Sequence, residues 1–225
     1  HIVSVVGCVY GNEPLLVLEL CAGGSLKGAL MASKTASLAQ ATAPTHPAAA
    51  VFAVAELTTF GHQIALAMSF LEHHKLLHRD LAARNVLLTE QRPMVCKLAD
   101  FGLSRTVGAE KDYYRRTAGA SAPIPVRWMA PETLDFNVSS IESDRWSYAV
   151  LLWEIYSLAA RPYAGVANAD IADCIRAGHR LKQPELCPDA IYAMMLECWA
   201  AEPKKRPPFA QVADQLYSTL AVSGV

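Results

Sequence analysis

The sequence predicts an α+β fold in which a little sheet comes first and helix fills most of the remainder. Three patterns carry that expectation. Residues 2–10 and 14–20 are short apolar runs on either side of Gly11-Asn12-Glu13-Pro14, which is turn chemistry and predicts a hairpin. From Ala55, large apolar residues recur three and four positions apart (Leu57, Phe60, Ile64, Met68, Leu71), one face of a helix that ends near His74. Asp144 to Leu158 is apolar nearly all round, the pattern of a helix buried on every side.

The other elements follow in order. Gly23-Gly24-Ser25 breaks the strand pattern, and Ser25 is placed to cap a short helix. Residues 32–50 are rich in alanine and small polar residues, with Lys34 as the sole charge and Pro44 and Pro47 opposing helix. This stretch reads as a mobile surface insertion. Short strands are expected at Val86–Leu88 and Val95–Leu98, joined by a turn through Gln91-Arg92-Pro93. Residues 104–126 are polar and irregular and predict a long loop. Two amphipathic patterns predict helices over 189–199 and 209–220.

Composition narrows the function. The chain has 225 residues, of which 52% are hydrophobic, enough for a large buried core and too apolar for general disorder. A net charge of -1 gives no bulk attraction for nucleic acid, so no nucleic-acid partner is expected. The six cysteines form no CxxC pair and no zinc or disulfide framework, which fits buried thiols in a reducing compartment. No apolar run approaches the ~18 residues of a membrane span, and no signal peptide is visible. The chain opens at His1 inside an apolar run, which suggests a piece of a longer protein.

Three motifs carry chemistry. His78-Arg79-Asp80-Leu81-Ala82-Ala83-Arg84-Asn85 lies between the first long helix and the next strand, Asp100-Phe101-Gly102 follows the second short strand, and Ala130-Pro131-Glu132 follows the long loop. Each triplet alone is weak, but all three in this order and setting are specific. The chain resembles protein kinases over nearly its whole length. The resemblance implies a protein kinase-like fold, mainly the helical C-lobe with a remnant of the N-lobe sheet. Residues 1–20 would be the end of that sheet and the start of the hinge, and 21–225 the C-lobe.

The roles the resemblance implies suit the residue types, because phosphoryl transfer needs positioning and charge neutralisation more than covalent chemistry. Asp80 would orient the substrate hydroxyl and accept its proton. Asn85 and Asp100 would hold Mg2+, a hard cation that takes oxygen ligands. Glu19-Leu20-Cys21 matches the hinge that hydrogen-bonds the adenine of ATP, Leu18 guards the back pocket, and Leu87 packs under the adenine ring. Asp144 would accept hydrogen bonds from the catalytic-loop backbone, and Glu132 and Arg206 would form an architectural ion pair. His78 and Phe101 look like members of an apolar stack, with Val5 read equally as a third member or as ordinary core.

Tyrosine specificity is read from Ala82, where serine/threonine kinases usually carry lysine, and from Arg84, which gives the Ala-Ala-Arg-Asn ending of many receptor tyrosine kinases. Pro125 to Glu132 is similar to the platform on which such enzymes support a long aromatic substrate side chain. Tyr113 and Tyr114 resemble paired activation-loop tyrosines whose phosphates would pair with Arg79 and Arg105. The implied partners are protein substrates carrying tyrosine and signalling or adaptor proteins. The implied location is intracellular, with any membrane attachment through a segment outside this chain.

The chain departs from the family pattern in lacking a glycine-rich loop, a strand lysine and the helix glutamate that pairs with it. All three are expected before His1, so the 225-residue chain alone should bind ATP weakly or not at all and expose apolar surface where the missing sheet would pack. An alternative reading is a pseudokinase or scaffold that binds partners without phosphoryl transfer. Arg145 and Ala149 replace the usual valine and glycine, and Arg145 stands at the unfavourable end of a helix dipole. Ala159-Ala160 replaces a common Gly-Gly.

Overall fold

The structure is a computed structural model that describes residues 1–11, 13–42, 51–107, 113–115 and 124–222. It opens with an antiparallel hairpin of β1 (Val5–Val9) and β2 (Leu15–Leu18), with Val9 opposite Leu15 and an irregular register between Val5 and Gly7. Of the expected turn, Asn12 lies outside the described residues. Val5, Val6, Leu15 and Leu16 are between 61% and 68% exposed, so apolar side chains stand in solvent on both faces of the hairpin.

Helix α1 (Leu26–Thr42) corrects two expectations. Ser25 does sit at its start, its Oγ accepting from the Gly28 amide at 3.2 Å, but the helix is 17 residues long. The reading of 32–50 as an irregular insertion fails over 32–42, where the alanine-rich stretch continues the helix; 43–50 lie outside the described residues. The buried stripe is Leu26, Leu30, Ser33 and Ala36, a helical spacing hidden in the sequence because its second half uses small side chains. Alanine propensity carries the helix to Thr42, and both prolines lie beyond it.

Helix α2 (Val54–His73) buries Leu57, Phe60, Ile64, Met68 and Leu71, and its Glu56 carboxylate reaches back to the Ala53 amide at 3.0 Å. Strand β3 (Leu76–Leu77) leads into the His78–Asn85 segment. Strands β4 (Val86–Leu88) and β5 (Cys96–Leu98) then pair antiparallel, with Leu87 opposite Lys97. The stretch expected as a long loop carries two short strands, β6 (Arg105–Thr106), paired with β3, and β7 (Tyr113–Arg115). Residues 108–112 and 116–123 of that stretch lie outside the described residues.

Helix α3 (Pro131–Phe136) has proline in its first turn, where the missing N–H costs nothing, and β8 (Val138–Ser140) pairs with β7. Helix α4 (Ile141–Tyr156) is capped reciprocally. Ser140 Oγ accepts from the Ser143 amide at 3.3 Å, and Ser143 Oγ accepts from the Ser140 amide at 2.9 Å. Helices α5 (Ile171–Arg176), α6 (Asp189–Cys198) and α7 (Phe209–Val222) complete the chain. The core centres on α4, whose Trp146, Tyr148, Val150, Leu151, Leu152 and Ile155 are fully buried. Two of its polar groups reach across to α2: Tyr148 Oη donates to the Gly61 carbonyl at 2.9 Å, and the Tyr156 and Thr58 hydroxyls meet at 2.8 Å.

Arg145 does not stand uncompensated at the start of α4. It pairs with Glu72 of α2 and donates to the Arg206 carbonyl at 3.0 Å, while the other Glu72 oxygen accepts from the Phe209 amide at 2.9 Å. The opposite charge of Glu72 offsets the unfavourable dipole end. Arg206 itself, fully buried, donates to both Glu132 oxygens at 2.7 and 2.9 Å and to the Glu142 and Ala200 carbonyls.

Candidate functional site

The His78–Asn85 segment is held from below by α4. Asp144 is buried, and its two oxygens accept from the His78 amide at 2.7 Å and the Arg79 amide at 3.0 Å. Burial pushes its carboxyl up to about 7, against the pull of those two donors and the nearby Arg79 guanidinium. Arg79 has φ 71°, a left-handed conformation that an arginine adopts only at a cost, and the Asp144 clamp offsets it. His78 is fully buried; its Nε2 donates to the Ala99 carbonyl at 3.1 Å, so Nδ1 is the acceptor for the Asp80 amide at 3.3 Å. Burial lowers the His78 pKa, which favours the neutral ring, and the Ala99 carbonyl selects the tautomer.

That frame sets Asp80. Asn85 Nδ2 donates both to the Asp80 carbonyl and to Asp80 Oδ2, each at 2.7 Å, and Arg84 pairs with Oδ1. With the Asn85 NH2 group spent on Asp80, its amide oxygen accepts no hydrogen bond among the described residues. The Ala99 amide donates to the Asn85 carbonyl at 2.9 Å, which brings Asp100 beside this loop. Asp100 is left-handed (φ 60°, ψ 67°), and its Oδ1 accepts from the Gly102 amide at 3.3 Å. Among the described residues no cluster of three or more His, Cys, Asp or Glu is arranged to hold a metal. The Asp100 carboxylate with the Asn85 amide oxygen, both hard oxygen donors, fits Mg2+ better than a softer ion, because Mg2+ fills the rest of its shell with water and phosphate oxygens. Phe101 stacks on His78 with ring centroids 5.1 Å apart. Val5 is 62% exposed in β1, so the reading of it as ordinary core is corrected.

The expected adenine site lies over β4. The Gly23 amide donates to the Leu88 carbonyl at 3.0 Å, and a Cβ on Gly23 would lie 2.6 Å from the Thr89 carbonyl oxygen, so only glycine permits this approach. A bridge between Ser25 and Leu87 continues it. Glu19 turns its side chain away, to the Ser4 amide at 2.7 Å and Lys97 at 3.0 Å; the amide bond first, then the lysine, lowers its pKa. The Glu19 carbonyl and the Cys21 amide have no hydrogen-bond partner among the described residues. Leu18 is 46% exposed, Leu20 is 91% exposed, and Cys21 is buried, with its thiol pKa raised by burial.

Tyr114 lies half-buried against two cations. The Arg79 guanidinium is 4.3 Å and that of Arg105 is 5.8 Å from its ring centroid. Arg79 also donates to the Leu103 carbonyl at 2.9 Å. Tyr113 faces outward at 45% exposure.

Sequence reasoning passed over Glu154 and the role of Trp128. Glu154 Oε2 accepts from the Ala83 amide at 3.0 Å and from Trp128 Nε1 at 2.8 Å. Burial raises the Glu154 pKa while these bonds lower it. The signal was available: Glu154 is the one acid in the apolar run from Trp146 to Tyr156, and a lone buried charge demands partners.

The family model described as protein tyrosine and serine/threonine kinase matches residues 1–216. The chain is 38% identical over 217 residues to tyrosine kinase receptor Cad96Ca of Drosophila melanogaster, covering 96% of this chain and 27% of that protein. It is 38% identical over 224 residues to fibroblast growth factor receptor 1 of Xenopus laevis and 37% identical to that of Pleurodeles waltl, covering 99% of this chain and 27% of each relative. The chain thus spans 27% of the length of these curated relatives.

Proposed function

This chain belongs to the protein tyrosine and serine/threonine kinase family, and from that premise we propose that the protein containing it transfers the γ-phosphate of ATP to tyrosine hydroxyls of protein substrates. The observation that carries the reading is the setting of Asp80. One carboxylate oxygen is held by Asn85 and the other by Arg84, on a loop whose backbone is clamped by Asp144. Asp80 would orient the substrate hydroxyl and take its proton. Asn85 and Asp100 would hold Mg2+, which when bound neutralises phosphate charge. The Glu19 carbonyl and Cys21 amide, unpaired among the described residues, would meet adenine, with Leu87 beneath it and Leu18 behind.

Tyrosine as acceptor is supported by Ala82 and Arg84. Ala82 is fully buried, so no side chain enters from that position, and Arg84 lies between Asp80 and the ring of Trp128 in the platform. The domain reading follows: residues 1–20 as the end of a small-lobe sheet and 21–225 as the large lobe. Signalling partners, an intracellular setting and membrane attachment through a segment outside this chain belong to the same reading, supported by the receptor tyrosine kinases it resembles. Among the described residues no helix is long and apolar enough to cross a membrane.

The test is phosphotyrosine formation on a peptide by the full-length protein. Asp80→Asn should lower kcat at least ~100-fold with the KM for ATP little changed. Activity retained in Asp80→Asn would remove Asp80 as the base. Tyr114, packed under Arg79 and Arg105, is the tyrosine whose phosphate those cations would bind. Replacing Tyr113 and Tyr114 together with Phe should lower activity, and unchanged activity would end the regulatory reading.

A further inference from the structure

One acid on α4 joins two segments that are distant in sequence. Glu154 is 3% exposed, and its Oε2 takes bonds from the Ala83 amide of the catalytic loop and the Trp128 indole of the platform. The Arg84 guanidinium lies 4.8 Å from the centroid of the Trp128 ring and pairs with Asp80. The contacts close a ring: Asp80, Arg84, Trp128, Glu154, Ala83, and back along the chain to Asp80. Ser147 Oγ fixes the Trp128 backbone by donating to its carbonyl at 2.7 Å. Trp128 and Glu154 also line a cavity of about 340 Å³, together with Lys27, Pro125 and Val126, on the side where the platform would carry substrate.

We propose that Trp128 and Glu154 are positioning residues for phosphoryl transfer. They hold Arg84, and through it Asp80, at the angle at which the substrate hydroxyl is met. This rests on the preceding reading of Asp80 as the base. Arginine has a long, flexible stem, and its guanidinium needs a fixed face to define its position. The indole supplies that face, and its N–H is fixed by a carboxylate. Donation to Glu154 also polarises the ring and strengthens its hold on the cation. Because the same carboxylate oxygen also accepts from the Ala83 amide, the platform is anchored to the loop beside Arg84, and a shift of the platform reaches Asp80 through the Arg84 guanidinium.

The experiment is steady-state phosphorylation of a tyrosine peptide by the full-length protein, with Trp128→Leu, Trp128→Phe, Glu154→Gln and Arg84→Ala, each alone and the first three also combined with Arg84→Ala. Trp128→Leu should lower kcat about 10- to 100-fold with the KM for ATP unchanged, since small misplacements at the reacting atoms cost that much. Trp128→Phe, which keeps the ring face, should stay within about 5-fold of the parent. Glu154→Gln keeps the acceptor and shape but not the charge, and should lie between them. On the Arg84→Ala background all three should leave kcat unaltered, because the path to Asp80 is already cut. A residue that merely supports the fold would give additive losses there, and additivity overturns the proposal. If Trp128→Leu does not fold, Trp128→Phe and Glu154→Gln give the same decision. Asp80→Asn remaining active would overturn the reading of the base; Asp80→Asn inactive with additive losses would overturn this inference alone.

Discussion

Asp144 carries its carboxylate where water does not reach, and its behaviour with pH follows from that. Unfolded, an aspartate gives up its proton near ~3.9; in the fold, burial raises that point to about 7. The folded state therefore holds the proton more tightly. The stability it contributes is fully present below about pH 4 and is lost as pH rises through about 7. The urea midpoint of the parent should fall across this window more steeply than that of Asp144→Asn, which has no such proton. Equal slopes would mean that the two amide donors outweigh burial. Asparagine can accept only one of the two amide bonds, so the variant should also be less stable throughout, by about 1–3 kcal/mol. The resemblance to protein kinases made this residue legible, because it implied an aspartate at the head of the buried helix that accepts from the backbone of the His78–Asn85 segment. The Arg79 conformation that the same acid stabilises was not legible, since φ depends on the backbone route between β3 and β4.

Among the elements, α1 shows what a pattern search loses when a helix packs with small side chains. Leu26 and Leu30 are visible in sequence, but Ser33 and Ala36 finish the stripe, and neither reads as core. The Ser33 hydroxyl accepts from the buried Phe52 amide at 2.9 Å and ties the return segment to the helix. Ser33→Ala should leave that amide unpaired, at a cost of about 1–3 kcal/mol, and speed hydrogen exchange at Phe52 more than at Leu57. Uniform protection would mean that the return segment is held by its apolar contacts alone. By contrast α2, α4, α6 and α7 were legible, because long apolar periods leave few alternatives. The strands β6 and β7 were not, since two or three residues carry no period, and only their partners β3 and β8 define them.

At the scale of the whole molecule, the large lobe is closed by Arg206, which joins α3, α4 and the segment leading to α7 through one buried guanidinium. Its planar fork meets both Glu132 oxygens, and a lysine cannot repeat that geometry. Arg206→Lys should destabilise the chain by about 3 kcal/mol or more, read as a fall in Tm, and adding Glu132→Gln should deepen the loss, because the buried ammonium then has no counter-charge. A Tm equal to the parent's would show that the pair adds nothing the surrounding packing lacks. The two acids that grip the His78–Asn85 segment, Asp144 and Glu154, stand on the same helix. Helix α4 is therefore a ruler as well as a core. A single alanine inserted between them would lengthen it by only about 1.5 Å but turn one carboxylate about 100° from its partner. The site would tolerate the change in length far better than the change in phase.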